Sequence, residues 1–92
     1  MSFEESIAVG KVTVFKATWC GPCKAYAPVV EQATPEIEAK GYSVRTLDAD
    51  SHRDIAAEYG IRGVPSTVIE KADGSRTVLV GLQSKEKLLE SL

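Results

Sequence analysis

Two side chains in this 92-residue sequence can exchange electrons reversibly, Cys20 and Cys23, and no other cysteine is present. They lie in Trp19-Cys20-Gly21-Pro22-Cys23-Lys24, a spacing that lets one disulfide close across a single turn. The apolar run Val12 to Phe15 precedes them and a helical pattern follows, so Cys20 is expected where a strand hands over to a helix. The first amides of a helix have no intrahelical acceptor, and with the aligned peptide dipoles they favour negative charge. Cys20 is therefore expected to ionise more readily than a free thiol. Because the thiolate is the attacking species, Cys20 reads as the nucleophile and Cys23 as the group that resolves the intermediate. Gly21 allows a partner's backbone to come close, and Pro22 at the helix opening forfeits no useful hydrogen bond while presetting φ.

Two other readings of the pair stand beside this one. Half of a zinc site would need further ligands, and only His52 offers another soft donor. Two inert core cysteines would have no reason to bracket Gly-Pro at a helix start. A purely stabilising disulfide is disfavoured too, since a loop of two intervening residues restricts the unfolded chain little.

The motif resembles the active site of the thioredoxin family. The likeness continues at Pro28, at Tyr59-Gly60-Ile61-Arg62-Gly63-Val64-Pro65 and at Val80-Gly81, covering most of the chain from Lys11 onward. It implies a thioredoxin fold and a protein dithiol-disulfide oxidoreductase with no bound cofactor or metal. It also implies a reversible Cys20-Cys23 disulfide, with electrons ultimately from NADPH through a thioredoxin reductase. Ribonucleotide reductase and peroxiredoxins are the substrates that the family suggests. The resemblance further implies a cis Val64-Pro65 bond facing the cysteines, with Val64 beside Cys20. Trp19 and Lys24 shape the site, and Gly63, Val64, Pro65, Val80, Gly81 and Leu82 form a patch that docks protein partners. Rival functions are a glutaredoxin-like, glutathione-dependent reductase, an oxidase on the same scaffold, and a binding subunit or holdase whose redox chemistry is incidental.

Three positions depart from the family pattern. The buried aspartate six residues before the first cysteine is Val14 here, and the lysine near it in the next strand is Thr46. Water or the departing substrate thiolate is therefore the expected proton acceptor for Cys23. Lys16 stands where many members carry a further tryptophan, and it reads as a solvated strand residue. His52 is expected to face solvent.

The elements that must hold these residues are legible as patterns. Ser2-Phe3-Glu4-Glu5 matches a capping box, predicting a short helix ended by Gly10. Lys11 to Lys16 reads as a buried strand. From Gly21 the positions Ala25, Tyr26, Val29, Val30, Ala33 and Ile37 have helical spacing, with Gly41 as the stop. Pro28 should bend that helix, and Thr34-Pro35-Glu36 predicts a break near Ala33 with a separate last turn. Tyr42 to Leu47 is the next strand, followed by a helix capped by Ser51 and stopped by Gly60. Ser66 to Lys71 and Arg76 to Val80 flank Asp73-Gly74, a hairpin signal, and Ser84 caps a last helix with Leu88, Leu89 and Leu92 on its buried stripe. The order α-β-α-β-α-β-β-α places helices on both faces of a central mixed four-stranded sheet, an α/β thioredoxin fold shortened at its N-terminus.

Bulk properties bound the rest. Residues 1–92 suit one domain, and apolar and charged fractions of 43% and 26% are those of a folded chain. A net charge of −2 gives no reason to expect nucleic acid or an anionic membrane as partner. No apolar run approaches a bilayer span, and the acidic opening lacks a signal peptide's basic stretch, so the expected compartment is the cytoplasm and the expected state a monomer.

Overall fold

Strand β1 (Gly10–Lys16) is the axis of the computed structural model, which describes residues 10–92. The expected helix from Ser2 lies outside the described residues. β1 pairs in parallel with β2 (Tyr42–Asp48) and antiparallel with β3 (Ser66–Glu70), which pairs antiparallel with β4 (Arg76–Val80). The sheet order is β2-β1-β3-β4. The two inner strands are covered on both faces, which is why Val12 to Phe15 and Ser66 to Ile69 are buried without alternation.

Helix α1 (Gly21–Ala39) and helix α3 (Lys85–Glu90) cover one face. There Val12 and Val14 pack with Tyr26, Val30 and Ile37 of α1 and with Leu88 of α3. Leu89 and Leu92 join this cluster from its margin, and the Ser84 hydroxyl caps α3 by accepting from the Lys87 amide at 3.1 Å. Helix α2 (Arg53–Glu58) covers the other face, where Phe15 and Val68 meet Ala56. Sheet and helices thus form three layers.

Gly10 is the first residue of β1. A Cβ built there would collide with the Glu70 carbonyl and come within 2.7 Å of the Tyr42 ring, so the glycine serves close approach between strands. Helix α1 contains Pro28 and Pro35 and departs from expectation at the second, for it runs without a break near Ala33. Its buried residues Cys23, Tyr26, Val30, Ala33 and Ile37 recur at spacings of three and four and hold one face on the sheet. Both prolines lie on the exposed side, where water can satisfy the carbonyls that lose their donors. The Thr34 hydroxyl does not cap a new helix but donates back to the Val30 carbonyl at 2.7 Å. Lys40 is the C-cap and Gly41, at φ 93°, reverses the chain.

Ser51 does not cap α2. The Asp48 carboxylate accepts from the amides of Asp50 and Ser51, at 2.9 and 3.3 Å, and this tight turn delays the helix until His52 stands as N-cap. His52 is half-buried, and its Nδ1 lies 3.1 Å from the Asp48 carbonyl, so it helps close this turn instead of simply facing solvent. In the β3-β4 turn the Asp73 carboxylate accepts from the Ser75 amide at 2.9 Å, which holds its pKa below the usual value.

Candidate active site

Cys20 is the N-cap of α1, in extended backbone conformation, and its Sγ accepts from the Cys23 amide at 3.1 Å. Gly21 and Pro22 form the first turn, as their types require. Cys20 and Cys23 are joined by a disulfide, with Cα atoms 5.3 Å apart. A sulfur at this position receives an N–H bond and the positive end of a 19-residue helix, both of which favour the thiolate after reduction. Among the described residues no group of three or more His, Cys, Asp and Glu side chains is arranged to hold a metal ion.

The backbone around the pair comes from distant parts of the chain. Val64 packs on the cluster of Ala17, Cys20 and Cys23, and the Val64-Pro65 peptide is cis. The Pro65 carbonyl accepts from the Gly81 amide at 2.8 Å, which brings the loop after β4 to the loop before β3. Gly81 has φ 86°, and Gln83 Nε2 donates to the Val80 carbonyl at 3.0 Å, so the turn is held from both sides. Val80, Leu82 and Trp19 are large apolar side chains exposed on this end of the molecule, at 73%, 52% and 70% of their surface. The sulfurs themselves lie lower, since Cys20 and Cys23 retain only 4% and 6% exposure.

The chain matches the family model described as Thioredoxin over residues 1–92. The chain belongs to the thioredoxin family. A thioredoxin from Staphylococcus haemolyticus is 37% identical over 92 residues, spanning 99% of this chain and 88% of its own. One from Rickettsia felis is 33% identical over 92 residues, spanning 97% and 87%. Among solved structures, chloroplastic thioredoxin z superposes with a TM-score of 0.80 at 28% identity, covering 94% of this chain and 77% of its own. A mutant thioredoxin from Halobacterium salinarum superposes at 0.79 with 30% identity, covering 99% and 80%. Thiol-disulfide exchange, the oxidoreductase chemistry of thioredoxins, is the activity of this chain, and the cysteine pair is its redox centre.

Within this thioredoxin scaffold the space beside Cys23 is lined mainly by apolar side chains. A cleft of about 370 Å³ opens beside it, walled by Val14, Tyr26, Val30 and Val44, with Lys16 and Glu31 among its polar lining. The Glu31 carboxylate belongs to a residue eight positions beyond Cys23, roughly 12 Å along the helix axis, too far to take its proton directly. Lys16 is exposed at the end of β1 and Lys24 is exposed on α1.

One site residue was not singled out from sequence. The Asp50 carboxylate accepts from the Trp19 indole N–H at 2.8 Å and so fixes the ring that flanks the disulfide. Asp50 looks like any polar loop residue in sequence, and its partner is 31 positions away.

Proposed function

We propose that this single thioredoxin-like domain reduces disulfides in partner proteins, with Cys20 as nucleophile and Cys23 as resolving group. The reduced enzyme attacks one sulfur of a substrate disulfide through the Cys20 thiolate, forming a mixed disulfide and expelling the other substrate sulfur as thiolate. Cys23 then loses its proton to water in the adjoining cleft or to that departing thiolate. Its sulfur attacks Cys20, closing the enzyme disulfide and freeing the second substrate thiol. Two electrons pass from the enzyme dithiol to the substrate. The observation that carries the assignment is the 3.1 Å bond from the Cys23 amide to Cys20 Sγ at the start of α1.

Trp19, Gly63, Val64, Pro65, Val80, Gly81 and Leu82 form the docking face in this reading, with Gly21, Pro22 and Lys24 shaping its centre. The Val64 amide and carbonyl make no backbone hydrogen bond among the described residues, so an extended substrate segment can pair with them. NADPH supplies electrons through a thioredoxin reductase, and substrates of the ribonucleotide reductase or peroxiredoxin kind fit a monomeric cytoplasmic protein. No helix of the described residues is long and apolar enough to cross a membrane.

An insulin-reduction assay with NADPH and thioredoxin reductase, run beside one with glutathione, tests activity and electron source together. Cys23→Ser is expected to accumulate a mixed disulfide with the substrate, and Cys20→Ser to form none. A stable adduct formed through Cys23 in the Cys20→Ser protein would reverse the assignment.

A further inference from the structure

Beside Trp19, on the α2 side of the disulfide, lies a second hollow of about 280 Å³ whose floor includes Ala56, Ile61 and Val64. Its charged lining consists of Arg53, Arg62 and Asp50. Asp50 is engaged by the Trp19 indole. Among the described residues the ion pairs are Arg76 with Glu70 and Lys85 with Glu36, so neither guanidinium of the hollow is in an ion pair, although the Asp50 carboxylate shares the hollow with them. Both arginines are exposed, Arg53 at the first position of α2 and Arg62 in the loop leading to Gly63. A chain of net charge −2 thus presents, among the described residues, two arginines against one aspartate, itself held by Trp19, at one apolar hollow that adjoins its reactive centre.

We propose that this hollow is a specificity subsite for an acidic side chain of the substrate polypeptide, located near the disulfide to be reduced. The inference rests on the reductase reading above and adds the class of sequence that the enzyme favours. A segment paired with Val64 passes the mouth of the hollow, because Val64 belongs to both. A carboxylate on that segment can then meet Arg53 or Arg62, while the methylenes of a glutamate lie on the apolar floor. Guanidinium groups suit this role, being permanently charged and forked to match a carboxylate. Lys16 and Lys24 line a separate hollow on the other side of Cys23, so the arginine contribution must be isolated by substitution.

The test uses the full chain, reduced beforehand and freed of reductant, in single-turnover reactions with peptides that contain one internal disulfide. The residues flanking one cysteine are Glu, Gln or Lys in otherwise identical peptides, and each rate is normalised to the Gln peptide. The Glu peptide should react roughly three- to tenfold faster than the Lys peptide at low ionic strength, with the ratio shrinking at high salt. In the Arg53→Glu, Arg62→Glu double variant the ratio should fall to one or below, and in the Arg53→Gln, Arg62→Gln variant it should lie between. Equal rates for the Glu and Lys peptides with the wild-type chain, or a preference that survives the double charge reversal, would overturn the subsite while leaving the reductase reading intact. Failure of the wild-type chain to reduce even the Gln peptide would instead sink the reductase reading itself.

Discussion

The Trp19 indole N–H and the Asp50 carboxylate meet at 2.8 Å, joining the loop after β1 to the loop after β2 across the active-site end of the sheet. Trp19 is largely exposed, so little packing holds its ring. The bond therefore governs orientation more than stability. Asp50→Ala should shift the emission of the single tryptophan and lower kcat/KM for an uncharged disulfide substrate by roughly three- to tenfold, equivalent to losing one hydrogen bond. The urea midpoint should hardly move. Asp50→Asn keeps an acceptor oxygen and should retain most activity. If Asp50→Ala preserved both emission and rate, the bond would not be what positions the ring.

Tyr26 of α1 and Thr67 of β3 share a buried hydrogen bond of 2.7 Å between their hydroxyls. Burial pushes the Tyr26 phenol above its ordinary value, with the bond to Thr67 pulling partly back. The native state then holds the Tyr26 proton to higher pH than the unfolded chain does. That contribution to stability is complete below pH of about 10 and is lost as pH rises through the folded value. Tyr26→Phe should cost about 1–3 kcal/mol at pH 7, because it strands the Thr67 hydroxyl, and should also flatten the alkaline limb of the stability curve. Some limb should remain, since burial raises Tyr59 as well, aided by its bond to Glu70. Denaturant unfolding from pH 7 to 11 reads both effects, and an unaltered alkaline slope in Tyr26→Phe would refute the linkage.

Pro35 sits on the exposed face of an unbroken helix, where it removes one hydrogen bond without gaining packing. Alanine there should restore the Glu31 carbonyl's partner, at some loss of the restraint that proline places on the unfolded chain. A helix-interior proline costs about 3 kcal/mol and the unfolded-state effect offsets about 1, so Pro35→Ala should stabilise the protein by about 1–2 kcal/mol. Thermal unfolding measures it. A destabilised variant would mean that the ring makes a contact of value on that face.

Much of this fold was legible because hydrophobic periodicity and turn chemistry report local geometry. The strands, the Asp73-Gly74 turn, the Ser84 cap and the placement of Cys20 at a helix start all follow from neighbouring residues. What was not legible depended on partners far along the chain or on which of two neighbouring polar groups captured the backbone. Nothing next to Gly10 in sequence announces the Glu70 carbonyl and the Tyr42 ring that crowd it. Thr34-Pro35 looks like a helix start until Ala33 and Ile37 are seen buried on one continuous stripe. Ser51 lost its capping role to Asp48, whose carboxylate captured the same stretch of backbone first. In the site, the motif located both sulfurs, whereas Asp50 and the two arginines of the hollow became visible only when α2 was laid against the loop before Gly63.

Val14 is 4% exposed and lines the cleft that opens beside Cys23. Replacing it with aspartate would install a carboxyl group in the wall of that cleft, where burial raises its pKa above the ordinary value of about 3.9. Two consequences should appear together. The native state of Val14→Asp would bind a proton that the unfolded state has released, so its stability should fall as pH rises from about 4 to the raised value, a dependence absent from the wild type at this position. The same carboxylate would stand ready to accept the Cys23 proton, and decay of the mixed disulfide should accelerate by roughly tenfold near neutral pH, below the usual range for general-base assistance on the proposal that water or the departing thiolate takes that proton in the wild type. Stopped-flow decay of a preformed adduct, alongside urea unfolding at several pH values, separates the two. Loss of stability without faster decay would show that proton removal does not limit resolution, and that the carboxyl group is a burden with no catalytic return.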